Sequence, residues 1–348
     1  MSKGYAEFIY KIKESKEFNY SFVANDLMQQ YDCYYKENKN KTSIYDSRFK
    51  KYLMPLRCKK LIKNTIIQNI KKKIKESDNK KIIDFSILDF GCGNGVLYQE
   101  CLKEVNNKQF KKKINFRITC FDISIEAIKS YAKKLEKDNF VKINKKREEK
   151  TPYCVHEFHK NNCHINFVYG NVSNSIEELG KVLLGFDTVL VIYGVINHIP
   201  CRKNRQNLTK FFSDISRQCL LMTIAGSGSY KNEVKSYNTL RKNKVIYKMA
   251  VEDGDIYYPR IKNDQKLVEN YYHIYSPKEM LQDLKVKLDN INNKKITTSI
   301  VNIKSNAELS TSYLKNKLDS FFIFCLNFLP YFIRNRFNRY FYLKIDKK

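Results

Sequence analysis

The chain has 348 residues, of which 43% are hydrophobic, so it is long enough to bury a core and its composition excludes wholesale disorder. Its 65 lysine and arginine residues outnumber 36 acidic residues, which gives a formal net charge of +29. A positive field attracts nucleic acid, anionic membranes and acidic substrates alike, so the charge alone selects none of these partners.

The first eighty residues carry apolar side chains at three- and four-residue spacing with lysines between them, a pattern that predicts helices. The pattern then changes to short apolar runs, most of them separated by helical stretches. Buried runs that alternate with helices predict an α/β fold, a doubly wound and mostly parallel sheet with helices on both faces. A last strand is predicted in ITTSIVNIK, after the runs at 85–90, 116–121, 165–169, 186–192 and 219–224.

Two segments interrupt this alternation. Residues 142–162 are polar, rich in lysine and without a period, so they predict an inserted loop. Residues 226–265 follow the fifth strand and predict a flap over the sheet. After the flap, Ser276, Pro277 and Glu279 form a capping-box pattern that predicts the start of a helix.

The segment ILDFGCGNG, residues 87–95, places a buried strand directly before three closely spaced glycines. Gly91, Gly93 and Gly95 allow a tight turn that brings backbone N–H groups against a ligand, and the helix predicted to follow adds positive potential. The next strand ends in Asp122, which is placed to accept hydrogen bonds from ribose hydroxyls. Together these features predict a nucleotide-type site at the carboxyl ends of the first two strands.

The G-x-G-x-G spacing after Asp89 resembles the first motif of class I S-adenosylmethionine (SAM)-dependent methyltransferases. FDTVLVIYGVINHIP, residues 186–200, resembles the family's fourth strand and the loop that lines the methyl donor. INFVYGN, residues 165–171, resembles its third strand, and FVANDLMQQYD is similar to the lid helix of members that act on small molecules. The core resemblance covers roughly residues 85 to 305. It implies a Rossmann-like, seven-stranded methyltransferase fold with SAM as cofactor.

Carried over by position, the resemblance implies a donor site. Asp89 is expected to bond the donor's amino group or to support the loop, Asp122 to hold the ribose hydroxyls, and Asn171 to meet the adenine amine. Tyr31 and Arg48 are implied as residues of the lid. The turn and the apolar walls complete the implied cofactor-binding set: Gly91, Cys92, Gly93, Asn94, Gly95, Ile123, Val172 and Tyr193.

Methyl transfer to a hydroxyl or a protonated nitrogen requires a base. His198, just after the fourth strand, and His273, within YYHIY, are the catalytic candidates, with packing roles as the alternative for both. The predicted function is transfer of a methyl group from SAM to a small molecule or a lipid. Two alternatives stay open: an RNA acceptor, which the basic charge favours, and a catalytically inactive SAM-fold module that binds RNA or a partner protein.

The segment CVHEFHKNNCH, residues 154–164, concentrates both cysteine and histidine side chains. Cys154, His156, His159 and Cys163 form a weak metal candidate there, because their spacing matches no standard zinc motif. The cysteines show no pairing pattern, and the amino-terminal residues lack the apolar run of a signal peptide. We therefore expect free thiols in a reducing, cytoplasmic environment.

The predicted organisation is a helical cap over 1–80, the SAM-binding domain over 81–305 and a basic aromatic tail over 306–348. In the tail, Ile333, Phe337, Tyr340 and Phe341 fit one face of a helix. A helical tail of this kind either packs on its own domain, the favoured alternative, or lies on an anionic membrane through residues 320–348. The longest apolar stretch is too short to cross a bilayer, so no transmembrane segment is predicted.

Overall fold

The computed structural model describes residues 31–32, 53–77, 81–93, 95, 110, 113–143, 154–170, 179–180, 183–226, 231–245, 250–261, 267–276, 279, 283, 294–303, 325 and 338–347. In this part of the chain, helices alternate with strands from residue 53 onward. The helices are α1 (Leu53–Glu76), α2 (Ile125–Lys137), α3 (Arg202–Ile215) and α4 (Lys231–Lys242), together with a short 3-10 helix at Val195–His198. The strands are β1 (Ile82–Phe90), β2 (Lys113–Asp122), β3 (Val141–Ile143), β4 (Cys154–Lys160), β5 (Cys163–Tyr169), β6 (Phe186–Val191), β7 (Ser216–Ala225), β8 (Asp255–Ile261), β9 (Leu267–His273), β10 (Lys294–Ile303) and β11 (Asn338–Lys347).

Nine of these strands form one sheet in the order β10-β11-β7-β6-β1-β2-β5-β4-β3. Strands β7, β6, β1, β2 and β5 run parallel to one another. Strand β11 runs antiparallel to β7, and β10 runs antiparallel to β11, so β10 shares the direction of the central five. These seven strands confirm the predicted mostly parallel, seven-stranded sheet, which β4 and β3 extend at one edge.

That extension corrects the prediction of a loop over 142–162. The described part of this segment contains the end of β3 and all of β4, which pair antiparallel with each other. Strand β4 also pairs antiparallel with β5, and 161–162 form the tight turn between them. The segment lacks the periodicity of a buried strand because it lies at the sheet edge, where polar side chains remain in contact with water.

The prediction of a helical tail is also wrong for residues 338–347. These residues form β11, which fills the place between β7 and β10. Leu343 and Ile345 are buried in the core, two positions apart as the alternation of a strand requires. The helical face that included Tyr340 and Phe341 is therefore not formed, and the tail packs on its own domain through this strand.

Both faces of the sheet are covered, as the doubly wound prediction requires. On one face, Phe85 of β1 and Phe116 of β2 belong to a core that includes Ile66 of α1 and Tyr131 of α2. On the other face, the core includes Phe90 of β1 together with apolar side chains of α3. Because successive strand residues point to opposite faces, a single apolar run supplies both cores.

The predicted flap contains α4 and the beginning of a separate two-stranded antiparallel sheet, β8-β9. Strand β9 leads into the predicted capping box. There, the N–H of Glu279 donates to Oγ of Ser276 over 3.1 Å, and the N–H of Ser276 donates to Oε2 of Glu279 over 3.4 Å. The helix start predicted at this position is confirmed by these reciprocal bonds.

Within the described residues, no helix has the length and apolar character needed to span a membrane. The cysteines whose side chains the structure describes are free thiols: Cys92, Cys120, Cys163, Cys201, Cys219 and Cys325. This agrees with the expectation drawn from their irregular spacing.

Candidate functional site

The glycine turn lies where the strand order reverses. Strand β1 pairs with β2 on one side and with β6 on the other, which creates the crevice at the carboxyl ends of parallel strands where such sheets bind ligands. The turn closes onto β2: the N–H groups of Gly91 and Cys92 both donate to the carbonyl oxygen of Phe121, over 2.8 and 3.0 Å. The N–H of Gly93 donates to Oδ2 of Asp122 over 2.7 Å. The turn and the acidic residue therefore meet at one place.

Asp122 is held at both carboxylate oxygens. Its Oδ1 accepts the N–H of Ser124 over 2.8 Å, in addition to the bond from Gly93 to Oδ2. Burial raises the pKa of Asp122 to about 6, although the backbone N–H groups of Ser124 and Gly93 oppose the rise. The result is an oriented, nearly buried acceptor for the hydroxyls of a ligand.

Asp89, near the end of β1, is the second buried acid of the site. Its side chain is 4% exposed, and burial, with the charge of Asp122 adding to it, raises its pKa to about 8. Asp89 is therefore mostly protonated at neutral pH in this state. A cationic group beside it would favour the ionised form, so the residue is suited to an ammonium ligand.

Two of the motif's glycines are required by close packing. Gly91 has φ of +78°, and a Cβ built there would lie 2.4 Å from Cγ2 of Val195. Gly95 has φ of +73°, and its Cβ would lie 2.2 Å from the ring of Tyr131. The turn thus fits against the segment after β6 on one side and against α2 on the other, and only glycine satisfies both requirements.

Tyr31 and Asp32 lie in a helical segment near the amino terminus and contact residues beside this site. Oδ1 of Asp32 accepts the hydroxyl of Ser124 over 2.6 Å and the N–H of Glu126 over 3.3 Å. The hydroxyl of Tyr31 lies 3.1 Å from Nε2 of His198. The role of Tyr31 as a lid residue stays a prediction.

His198 ends the 3-10 helix that follows β6. Its Nδ1 lies 3.1 Å from the carbonyl oxygen of Tyr271, which can only accept a hydrogen bond. This partner assigns the proton of neutral His198 to Nδ1 and leaves a lone pair on Nε2, toward the hydroxyl of Tyr31. The ring also contacts Tyr272 edge-on, with centroids 4.6 Å apart.

His273 has a different environment from His198. Its side chain is fully buried, Nδ1 lies 2.7 Å from Oδ1 of Asp255, and Nε2 lies 2.9 Å from Oε1 of Glu279. Burial opposes the charged ring, but the bonds to the two carboxylates outweigh it and raise the pKa of His273. With both ring nitrogens engaged, His273 ties β9 to β8 and to the helix start at 279, an arrangement that favours the packing role for this residue.

A fully buried guanidinium completes this cluster. Nη2 of Arg205, on α3, lies 2.6 Å from Oε2 of Glu252, and its Nη1 donates to the hydroxyl of Tyr271. Glu252, Asp255 and His273 place their ligand atoms within 4.8 Å of one another, close enough to hold a metal ion. Arg205 and His273 already supply positive charge there, so we interpret the cluster as an ionic network that fastens the flap to α3.

No family model and no curated protein sequence matches this chain. Solved structures do match. The complex of DhpI with SAM and HEP has a TM-score of 0.45 and 10% identity, over 95% of this chain and 99% of that one. Magnesium protoporphyrin IX methyltransferase (ChlM) from Synechocystis PCC 6803 with bound SAH has a TM-score of 0.43 and 10% identity, over 92% and 98%. A SAM-dependent methyltransferase from Clostridium acetobutylicum has a TM-score of 0.40 and 12% identity, over 82% and 91%.

The remaining residues of the predicted cofactor-binding set lie in the turn, after β2 or after β6, or fall outside the described residues. Ile123 is half-buried between Asp122 and Ser124, and Tyr193, with φ of +65°, donates its N–H to Oγ1 of Thr223. The thiol of Cys92 is buried beneath the turn, and burial is the main reason that its pKa is raised. The predictions for Asn94, Arg48, Asn171 and Val172 lie outside the described residues.

The structure does not bring the weak metal candidate together. His159 lies directly opposite His164 in the β4-β5 pairing, with ring centroids 4.6 Å apart. Cys163, the residue before His164, therefore points to the opposite face and is fully buried in the core. His159 and Cys163 consequently cannot bind one ion, and the side chain of Cys154 is not among those described.

Three residues of the site were missed from the sequence. Asp32 and Ser124 join the helical segment at residues 31–32 to the end of β2. Asn197, fully buried, donates its amide to the carbonyl of His273 over 2.6 Å and accepts the N–H of Ala225 over 3.1 Å, which fixes the 3-10 helix that carries His198. Ser124 had a local signal, since it is the N-cap of α2; Asp32 and Asn197 had none, because their partners are distant in sequence.

Proposed function

We propose that this protein is a SAM-dependent methyltransferase that acts on a small molecule or a lipid. The observation that carries the proposal is the 2.7 Å hydrogen bond between the N–H of Gly93 and Asp122, at the point where the strand order reverses. This bond unites a glycine turn, a buried acid and the carboxyl ends of two strands in one site. An adenosyl ligand requires these elements to be adjacent.

The residues of the site fit the two polar ends of such a donor. SAM carries a ribose diol, which donates hydrogen bonds, and Asp122 is an oriented acceptor for them. SAM also carries an ammonium group, and Asp89 is a buried acid whose ionised form a cation would stabilise. When bound, the donor supplies a methyl group on a sulfonium. The chain's own contribution is to bind it, exclude water and orient the acceptor.

We assign the role of base to His198. Its Nδ1–H is fixed by the carbonyl of Tyr271, so Nε2 carries the lone pair, which would take a proton from an acceptor hydroxyl or amine in place of its contact with the Tyr31 hydroxyl. Asn197 fixes the backbone of this segment from the preceding position. The hydroxyl of Tyr31 covers Nε2 from the lid, and this enclosure favours a small acceptor.

Titration of the full chain with S-adenosylhomocysteine (SAH) tests the donor site. We expect wild-type protein to bind SAH and Asp122→Ala to bind at least about tenfold more weakly, since a charged acceptor of two hydrogen bonds is lost. Asp84→Ala is the matched control, because Asp84 lies on β1 but its side chain is 59% exposed at the opposite end of the sheet. Wild-type protein that does not bind SAH would contradict the proposal and favour the inactive module.

The net charge of +29 supports an RNA acceptor as the second candidate. Phosphate-driven binding weakens steeply as salt increases. If the chain binds single-stranded RNA with such a salt dependence, and if SAH and RNA increase each other's affinity, the acceptor is RNA. RNA binding that is absent, or insensitive to SAH, leaves the small-molecule acceptor as the function.

A further inference from the structure

One edge of β9 holds the last two residues of the 3-10 helix. The carbonyl oxygen of Tyr271 lies 3.1 Å from Nδ1 of His198, and the carbonyl oxygen of His273 accepts the amide N–H of Asn197 over 2.6 Å. Backbone groups of strand residues two positions apart point to the same edge, so both carbonyls face the segment after β6. The position of β9 therefore determines where His198 lies and which ring nitrogen carries its proton.

The side chains of the same two β9 residues converge on Asp255 of β8. The hydroxyl of Tyr271 donates to Oδ1 of Asp255 over 2.6 Å, and Nδ1 of His273 lies 2.7 Å from the same oxygen. The other oxygen, Oδ2, accepts the N–H groups of Val251 and Glu252 over 3.0 and 2.7 Å. Asp255 is fully buried. One carboxylate therefore anchors both residues whose carbonyls hold the 3-10 helix.

The carboxylate of Asp255 is ionised inside the protein. Burial opposes its charge, but the bonds to His273 and Tyr271 outweigh this cost and keep the pKa of Asp255 below its ordinary value. Hydrogen bonds to an ionised acceptor are roughly twice as strong as those between neutral groups. The charge therefore strengthens the attachment of β9 to this point.

Arg205 of α3 contacts the same arrangement from the other side. Its Nη1 donates to the carbonyl oxygen of Ile199, the residue after His198, over 3.2 Å, and to the hydroxyl of Tyr271 over 3.3 Å. That hydroxyl thus accepts from Arg205 while it donates to Asp255, and both partners are fully buried. His198 and the strand that holds it belong to one connected set of buried hydrogen bonds.

We propose that Asp255 is a positioning residue for His198: through Tyr271 and His273 it fixes β9, whose carbonyl keeps the proton of His198 on Nδ1. This inference rests on the proposed function, in which His198 is the base. The base is then set correctly only when β8 and β9 are in place, although neither strand belongs to the sheet that carries the donor site. A neutral histidine without such a partner carries its proton mainly on Nε2. Loss of the anchor would replace the lone pair on Nε2 by an N–H, which cannot accept a proton.

The test measures the tautomer of His198 in the full chain. Ring ¹⁵N chemical shifts distinguish a nitrogen that carries a proton from one that carries a lone pair, His198→Gln identifies the signals, and about pH 9 keeps an ordinary histidine ring neutral. We expect the Nδ1–H form to predominate in wild-type protein. Asp255→Ala should change the ratio of the tautomers toward Nε2–H by about fivefold or more, the equivalent of one lost hydrogen bond.

Two tyrosines on facing strands supply a milder variant and its control. Tyr271→Phe removes the hydroxyl that bonds to Asp255 but keeps the ring and the carbonyl, so it should change the tautomer ratio in the same direction by a smaller factor. It decides the question if Asp255→Ala does not fold. Tyr257 lies opposite Tyr271 in the β8-β9 pairing and is also buried. Tyr257→Phe should leave the tautomer ratio of His198 unchanged.

The outcomes separate this inference from the proposed function. A wild-type His198 that carries its proton on Nε2 would overturn the inference. So would variants that lower the free energy of unfolding but keep the wild-type tautomer ratio, since that is the result of a merely structural role. If the same wild-type protein binds SAH, either of these results leaves the donor site intact. If it does not bind SAH, the proposed function fails, and with it the role of His198 as a base, whatever its tautomer.

Discussion

Gly93 and Asp122 are 29 positions apart, yet the N–H of the first donates directly to Oδ2 of the second over 2.7 Å. This bond joins the turn after β1 to the end of β2 and, with the bond from Ser124 to Oδ1, orients the carboxylate before any ligand binds. A carboxylate has about four acceptor positions, so these bonds do not exhaust it. The site is therefore preorganised for a ligand that donates hydrogen bonds.

Proton release on SAH binding is the first prediction. The pKa of Asp89 is raised to about 8 by burial and by Asp122, so near pH 7 the residue must lose its proton to pair with the ligand's ammonium group. We expect release of about one proton, and an affinity that rises with pH until it levels off above the pKa. Calorimetry in two buffers of different ionisation enthalpy measures the release.

Asp89→Asn is the control for this proton. The variant should bind SAH more weakly, with no proton release attributable to residue 89 and with a flatter pH dependence. Equal binding enthalpies in the two buffers for wild-type protein would show that Asp89 does not change ionisation, and that it does not contact the ammonium group.

The packing of the glycine turn predicts that alanine destabilises the protein more at Gly91 than at Gly180. Gly91→Ala should lower the free energy of unfolding by about 2 kcal/mol or more, because the new Cβ meets Val195 and φ is positive. Gly180→Ala is the control, since its Cβ would be in ordinary contact with Phe211 at 3.8 Å. Urea denaturation measures both; equal stabilities would refute the close approach at Gly91.

The buried His273 predicts a pH-dependent stability. Its folded-state pKa is raised, mainly because the bonds to Asp255 and Glu279 outweigh the cost of burial. The stabilisation is therefore fully present below the unfolded value of about 6.5, and it is lost as pH rises through the higher folded-state pKa. The difference in unfolding free energy between wild-type protein and His273→Gln should accordingly shrink as pH increases above about 6.5.

The comparison of wild-type protein with His273→Gln cancels the contribution of other titrating groups to the pH dependence of stability. Asp89 and Asp122 also have raised pKa values, but they are common to both proteins and cancel in the difference. A difference that stays constant from acidic to alkaline pH would mean that the pKa of His273 is the same in the folded and the unfolded protein, so that the two carboxylates do not raise it.

Strand β11 predicts that the tail stabilises the domain. Ile345→Ala should lower the free energy of unfolding by about 2–4 kcal/mol, because its side chain is fully buried in the core that includes apolar side chains of α3. Val141→Ala on edge strand β3 is the control, since Val141 is 68% exposed. A negligible effect of Ile345→Ala would argue against the strand and revive a tail that acts outside the domain.

The sequence was sufficient for features that depend on neighbouring residues. Glycine spacing, the acid at the end of β2 and the capping box at Ser276 are local patterns, and the structure contains each of them. The central strands were also predicted, because their burial on both faces produces continuous apolar runs. Strand β4, next to the edge strand β3, was missed for the converse reason: its polar face gives no such run.

Tertiary structure alone decided which distant residues meet. Asp32 and Ser124 are 92 positions apart, and nothing in either segment indicates the other. The tail shows the same limit. Its aromatic residues suit a helix or a strand, and only the pairing with β7 and β10 selects the strand. Local preference sets what a segment can form, whereas the burial and hydrogen bonds available from distant partners determine what it does form.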